Sequence, residues 1–283
     1  MNKVGHIASI WHYPVKGMAG SMMSEAEVDE RGIEGDRLWA VRDVQRQEIQ
    51  SCKFRPQLLQ CRASYASPDM TVVNITFPSG ERLQCGDSEA NELISTLVGH
   101  PSELRHLEPA SNEAFYRRYK QGDEHWLDEL KNTFAREPGE PLPDLDNLPQ
   151  EMQEYVSQLG TFFLVSPLHI LTTASLKHMH SLNPEADWHV ERFRPNIVIE
   201  TEPGITGLAE QDWVGSTLRI GSTEIQCHDT APRCGAVVRK QQGIEEDRSI
   251  LRSIVSKADQ NLGIYGNNVI AGSIRVGDAV YLV

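Results

Sequence analysis

The sequence predicts a β-rich α+β protein in two parts, and three observations carry that prediction. Most apolar stretches are short and set off by Gly, Pro and polar residues, as strands are. Helical spacing is confined to a few segments. A Pro-rich, strongly acidic stretch with few apolar residues divides the chain, giving an N-terminal β domain over 1–120, a connection over 121–160 and a second domain over 161–283.

In chain order, strands are expected at Val4 to Tyr13, Arg37 to Asp43, Leu58 to Tyr65 and Thr71 to Phe77, with Pro78-Ser79-Gly80 turning into a further strand at Arg82 to Cys85. Asp87 suits an N-cap, Leu93, Ile94, Leu97 and Val98 keep helical spacing, and Gly99 ends the helix. The run from Glu137 to Pro149, with four prolines counting Pro149, reads as a surface connection or lid. Thr172-Thr173-Ala174-Ser175 opens a helix that Asn183-Pro184 ends. Asn196 to Glu200 is a strand, Thr217 to Ile220 and Thr223 to Cys227 form a hairpin, and Arg248 to Asp259 is an amphipathic helix. Strands near Asn268 to Ala271 and Ala279 to Val283 close the chain.

With 283 residues, 39% hydrophobic and 24% charged, the chain has a globular composition. No apolar run approaches a membrane span, and His6, Ser9 and His12 interrupt any signal-peptide core, so a cytoplasmic protein without a membrane partner is expected. The formal charge of −13 argues against nucleic acid as a partner. Of that charge, −8 lies between Asp123 and Glu154, which leaves room elsewhere for a cationic pocket. Five cysteines without a C-x-x-C pair suggest neither a disulfide framework nor a zinc knuckle.

Nucleotide-binding loops, H-E-x-x-H and G-x-S-x-G are missing. His178 and His180, two apart on a helix, point to different faces, and His169 reads as a hydrogen-bonded core histidine or a site lining. Four motifs place a cation beside a turn or strand end: Tyr13-Pro14-Val15-Lys16-Gly17, Gly35-Asp36-Arg37-Leu38-Trp39, Arg192-Phe193-Arg194-Pro195-Asn196 and Pro232-Arg233-Cys234-Gly235. Strand alternation through Arg192-Phe193-Arg194 would put both guanidinium groups on one face, fit for a multi-oxygen anion; the alternative is a surface strand whose arginines pair with Glu191 or Glu200. Cys234 beside Arg233 sits in an electropositive turn that favours a thiolate, as nucleophile, sulfur carrier or ligand of a soft metal.

These motifs in this order resemble a two-part MOSC protein, a MOSC domain preceded by its N-terminal β-barrel domain, as in the amidoxime-reducing components and their bacterial relatives. The resemblance also rests on Gly32 to Trp39, Leu171 to Leu176, Arg192 to Ile199, Leu208 to Trp213 and Ile274 to Asp278. It implies a β-barrel MOSC domain with flanking helices and a molybdenum cofactor, a Mo-pyranopterin whose metal takes Cys234 as ligand. Lys16, Arg37, Arg194, Asn196 and Arg233 would hold the cofactor between the halves, with Thr173 and Ser175 at a helix N-terminus favouring its phosphate. Pyridoxal phosphate binding is a further class-level property that the resemblance carries.

The activity it implies is reduction of small N-hydroxylated substrates with two electrons and two protons, releasing water. Some relatives carry a C-terminal ferredoxin-like domain and this sequence ends at Val283 without one, so an external electron-transfer protein is expected. Where relatives continue after the Arg-Cys pair with a Thr-rich strand, Gly235-Ala236-Val237-Val238 stands here. Two other functions stay open: a carrier using a Cys234 persulfide, and a cofactor-binding protein without turnover.

Overall fold

The computed structural model describes residues 1–67, 69–120 and 125–283. The N-terminal part runs β1 (Asn2–His12), β2 (Ser21–Met23), β3 (Glu25–Asp29), β4 (Gly32–Ile33), β5 (Trp39–Asp43), β6 (Glu48–Ile49), β7 (Arg62–Tyr65), β8 (Val73–Thr76), β9 (Arg82–Gln84), α1 (Ser88–Val98) and β10 (Ser102–His106). Then come α2 (Glu113–Tyr116), α3 (His125–Asn132) and α4 (Gln150–Glu154). The C-terminal part runs β11 (Leu168–Thr172), α5 (Thr173–Leu182), β12 (Ile197–Thr201), β13 (Thr217–Ile220), β14 (Thr223–Pro232), α6 (Ser249–Lys257), β15 (Asn261–Ile270), β16 (Gly272–Arg275) and β17 (Ala279–Leu282).

Seven strands close a barrel in the order β1, β12, β11, β15, β14, β13, β17 and back to β1, and β2 continues the sheet beyond β1. All its pairings are antiparallel except β11 with β12, which α5 connects as a crossover helix. The first strand of the chain is therefore a stave between two strands from its far end, with Ile7 opposite Ile199 and Ile10 opposite Ile197. Residues 1–12, within the stretch read as an N-terminal domain, pack with the C-terminal strands because Val4, Ile7 and Ile10 find their apolar partners there. The barrel interior holds these with Ile170, Ile225, Ile264 and Val280, each side chain worth about 1.5–3 kcal/mol of burial.

The smaller sheets β7-β8-β9 and β10-β5-β6 pack with α1 around Val41, Leu58, Ile75 and Ile94. Gly99 ends α1 in the left-handed region at φ 82°, as its position in the sequence predicts. β16 leaves the barrel to pair with β3, a second tie between the halves. The expected strand at Leu58 begins instead as a 3-10 turn, Pro56–Gln60, since Pro56 favours a helical start.

The acidic connection is more built than the sequence suggests. Leu130, Phe134 and Leu145 are buried together, with Phe54, Trp126 and Cys234 against them. The charge of the run obscures this apolar spacing, and of the acidic residues counted in it Asp123 and Glu124 lie outside the described residues. Among the described residues, no helix is long and apolar enough to cross a membrane.

Candidate functional site

Strand β14 runs on to Pro232 and delivers Arg233 and Cys234 to the end of the barrel. Cys234 is half-buried and caps a 3-10 turn, Gly235–Val238, whose first amide, Gly235 N, donates to Thr133 O at 2.8 Å. A Cβ on Gly235 would stand 2.9 Å from Ala135 Cβ, so only glycine lets the connection lie this close to the cysteine. Arg136 fastens the same junction by donating to Arg233 O at 3.1 Å.

The Arg233 side chain turns inward. Its Nη2 donates to Phe193 O at 2.7 Å, Nη1 lies 3.4 Å from His169 Nε2, and Nε is buried without a partner among the described residues. Burial, and then the Arg233 charge, push the His169 pKa down to about 3, so the imidazole is neutral. Gly263, at φ +83°, makes room for that ring: a Cβ there would sit 2.2 Å from His169 Nε2.

Across the junction, Arg37 and Arg194 stack on the buried Tyr13, with guanidinium carbons 5.3 and 4.3 Å from the ring centroid. Arg37 also lies 5.0 Å from the Phe163 ring centroid. Both arginines hold left-handed backbone, φ 53° and 54°, a strain that non-glycine residues keep where the surroundings enforce it. The enforcement is visible: Arg37 N donates to Tyr13 O at 2.9 Å, and the Arg194 side chain donates to Met18 O.

Asp36 is the hub beneath them. Its buried carboxylate accepts from Tyr13 N at 2.7 Å, from Asn196 Nδ2 at 3.0 Å and from the Arg37 guanidinium. Lys16 Nζ donates to Phe162 O at 2.6 Å. Burial above all, then the charges of Arg37 and Lys53, push its pKa down to about 7.

The structure thus brings together Lys16, Arg37, Arg194, Arg233 and Cys234 from both halves of the chain. Asn196 stands behind them as a strut: its side chain is spent on Asp36, on Trp11 O at 3.4 Å and on His169 N at 3.2 Å. Thr173 and Ser175 lead elsewhere. Thr173 Oγ1 accepts from Thr201 N at 3.3 Å, and Ser175 Oγ donates to the buried Glu210 carboxylate, which also takes Thr172 Oγ1 at 2.5 Å. The helix N-terminus expected to favour a cofactor phosphate is filled by the protein's own anion.

Arg192 and Arg194 do not share a strand face. Val190–Phe193 is a 3-10 turn and Arg194 caps it in left-handed backbone. Arg192 is buried and pairs with Asp187 at 2.7 Å, whereas Glu191 pairs across the halves with Arg62 at 2.7 Å. Of the other cysteines, Cys61, Cys85 and Cys227 have thiols pushed up to about 12 by burial, and Cys52, also raised by burial, feels the charge of Arg194. Sequence reading gave no role to Asp36, Lys53 or Phe163; the first stood inside a quoted motif, but its partners are distant in sequence.

The sequence profile described as the MOSC domain matches residues 158–281, and that of the MOSC N-terminal beta barrel domain matches residues 4–101. The human protein named mitochondrial amidoxime reducing component 2 is 27% identical over 310 residues, covering 99% of this chain and 84% of that protein. Human mitochondrial amidoxime-reducing component 1 is 26% identical over 322 residues, covering 100% of this chain and 84% of that protein. The crystal structure of the YUAD protein from Bacillus subtilis aligns with a TM-score of 0.42 at 11% identity, over 99% of this chain and 95% of that one. None of these descriptions names pyridoxal phosphate or a cytoplasmic compartment; the two human proteins are named as mitochondrial.

Proposed function

The chain belongs to the MOSC family, with a MOSC N-terminal beta barrel domain ahead of its MOSC domain, and on that footing we propose that it is a molybdenum-cofactor oxidoreductase that reduces N-hydroxylated compounds. The observation that carries the reading is the meeting of a half-buried thiol, Cys234, with cations from both halves, Lys16, Arg37, Arg194 and Arg233, above the buried carboxylate of Asp36.

The residues fit such a group. An anionic pterin phosphate would offset the burial and the neighbouring cations that lower Lys16, and the Nε of Arg233, unpartnered among the described residues, has a hydrogen bond to give. Cys234, half-buried at the end of the barrel, would be the residue to give a sulfur to the cofactor's metal. When bound, the cofactor supplies the two-electron chemistry that frees nitrogen of its hydroxyl oxygen.

The chain's own work is placement. Asp36 fixes Arg37, the Tyr13 ring holds both Arg37 and Arg194, and neutral His169 supports Arg233 without adding charge. Phe163 shields the Arg37 guanidinium from water, which strengthens its attraction for an anion. Electrons come from an external electron-transfer protein.

Protein made in a host that synthesises the molybdenum cofactor tests this reading. Expected are stoichiometric metal and pterin, a cysteine sulfur in the metal's first shell by X-ray absorption, protection of Cys234 from iodoacetamide, and reduction of benzamidoxime with a chemical donor. Cys234→Ser should abolish the reduction, and Cys227→Ser, which alters a sulfur packed in the barrel, should keep most of it. Loaded protein whose Cys234 alkylates freely, passes sulfur to thiols and reduces no amidoxime would instead establish the persulfide carrier.

A further inference from the structure

A groove with a volume of ≈ 350 Å³ opens where the N-terminal part, the acidic connection and the turn after Cys234 meet, and Gly235 forms part of its wall. That volume is within the range of small-molecule sites. In a protein of net charge −13, the groove is cationic: Arg46, Lys53, Arg55, Arg118 and Arg239 line it, against Glu48 and Glu129.

These five cations outnumber the two lining carboxylates, of which Glu48 acts on Arg46 and Arg118. Arg239 lies 4.0 Å from Glu246, which is not among the lining residues, and Arg55 is held by His100 Nε2 at 2.9 Å and by Phe54 O at 3.0 Å. Arg118 donates to Met152 O and Tyr155 O, and its Nε is buried without a partner among the described residues. Lys53 meets the Phe134 ring at 5.6 Å, Arg46 the Tyr119 ring at 5.3 Å, and neither has a carboxylate within 4.0 Å among the described residues.

Apolar contact leads from this charge to the thiol. Phe54 and Trp126 line the groove and belong to the cluster in which Cys234 packs. A ligand lying along them has a flat apolar body near Cys234 and a negative group among the cations. Such a ligand is a small aromatic anion, because cations stripped of counter-charge gain most from a phosphate or carboxylate.

We propose that this groove is the substrate subsite for an anionic group, so that the preferred substrates are N-hydroxylated aromatic compounds carrying a phosphate or carboxylate. The proposal rests on the reductase reading for the chemistry, but the anion site is measurable without turnover.

Phenyl phosphate is the probe, titrated calorimetrically into the cofactor-loaded protein. Lys53→Ala and Arg239→Ala should each weaken its binding by about tenfold to a hundredfold, the usual loss for one charge-assisted contact, with melting temperatures confirming the fold. Lys53→Glu should weaken it further. In turnover, 4-carboxybenzamidoxime should have a KM about tenfold below that of neutral benzamidoxime, and the gap should close in Lys53→Ala.

Absence of phenyl phosphate binding up to millimolar concentration, or equal KM values for the two amidoximes in active enzyme, would overturn the subsite and leave the reductase reading standing. Variant-sensitive phenyl phosphate binding in loaded protein that reduces neither amidoxime would keep the anion site and overturn the reductase reading.

Discussion

Replacing Asp36 by Asn tests whether one carboxylate organises the site. The Asp36 side chain is 0% exposed and that of Arg37 15%, so their pairing is largely shielded from water. In the variant one amide oxygen can still accept from Tyr13 N, but the other position becomes an NH2 group facing two donors, Arg37 and Asn196 Nδ2. Removing one partner of a buried ion pair costs about 3–5 kcal/mol. At about 2–4 °C per kcal/mol for a domain of this size, the melting temperature should fall by about 6–20 °C. Asp128→Asn, at an exposed position on α3, serves as the comparator and should stay within about 0.5 kcal/mol of the wild type. Calorimetric melting of the three proteins, with pterin content after dialysis, reads both effects. Asp36→Asn protein that melts within about 2 °C of wild type and keeps its pterin would refute the hub, since by the same scaling it would have lost less than 1 kcal/mol.

Two further outcomes follow from the same geometry. Arg194→Ala removes a cation stacked on Tyr13, and loss of one charge-assisted phosphate contact should weaken pterin retention by about tenfold to a hundredfold, measured as pterin content against dilution. Glu210 has its carboxyl held above the ordinary range by burial, against the opposing hydrogen bonds of Ser175 and Thr172. The folded state therefore holds that proton more tightly than the unfolded chain does, and this contribution to stability is full at low pH and is lost as pH rises through the folded pKa. Glu210→Gln cannot titrate, so urea melts from about pH 4 to about pH 8 should show its stability improving relative to wild type as pH rises; an unchanged difference would contradict the assignment.

Local chemistry made part of this molecule legible in the sequence. Gly99 ends α1 and Thr172 caps α5 because both signals act within a few residues, and Thr172 Oγ1 accepts from Ser175 N at 3.1 Å. Likewise Lys16, Arg37, Arg194, Arg233 and Cys234, each beside a turn or strand end, lie near one another in the fold. What stayed hidden depends on distant partners. Asp36 meets Asn196 across 160 residues of sequence, and Arg194 is held in left-handed backbone with its side chain bonded to Met18 O; no periodicity reports either. Ser175 and Thr173 carry a sound helix-start signal, but Glu210 fills that helix end from elsewhere. In the acidic connection, Leu130 and Phe134 keep core spacing within a segment whose charge marks it as surface.

The placement of β1 has a consequence for how the chain can be cut and made. Its neighbouring staves β12 and β17 lie near residues 200 and 280, so the barrel cannot close until the chain through about residue 280 has left the ribosome. Until then Val4, Ile7 and Ile10 lack the barrel strands that cover them, with only β2 able to pair beside the end of β1. A fragment starting at residue 158, where the MOSC match begins, would present β12 and β17 as two open edges with unpaired backbone donors and acceptors, ready to pair with other copies. Supplying residues 1–12 on a separate peptide should restore solubility to such a fragment. The profile boundary marks where sequences resemble one another, and the smallest unit able to satisfy its own hydrogen bonds includes the first strand.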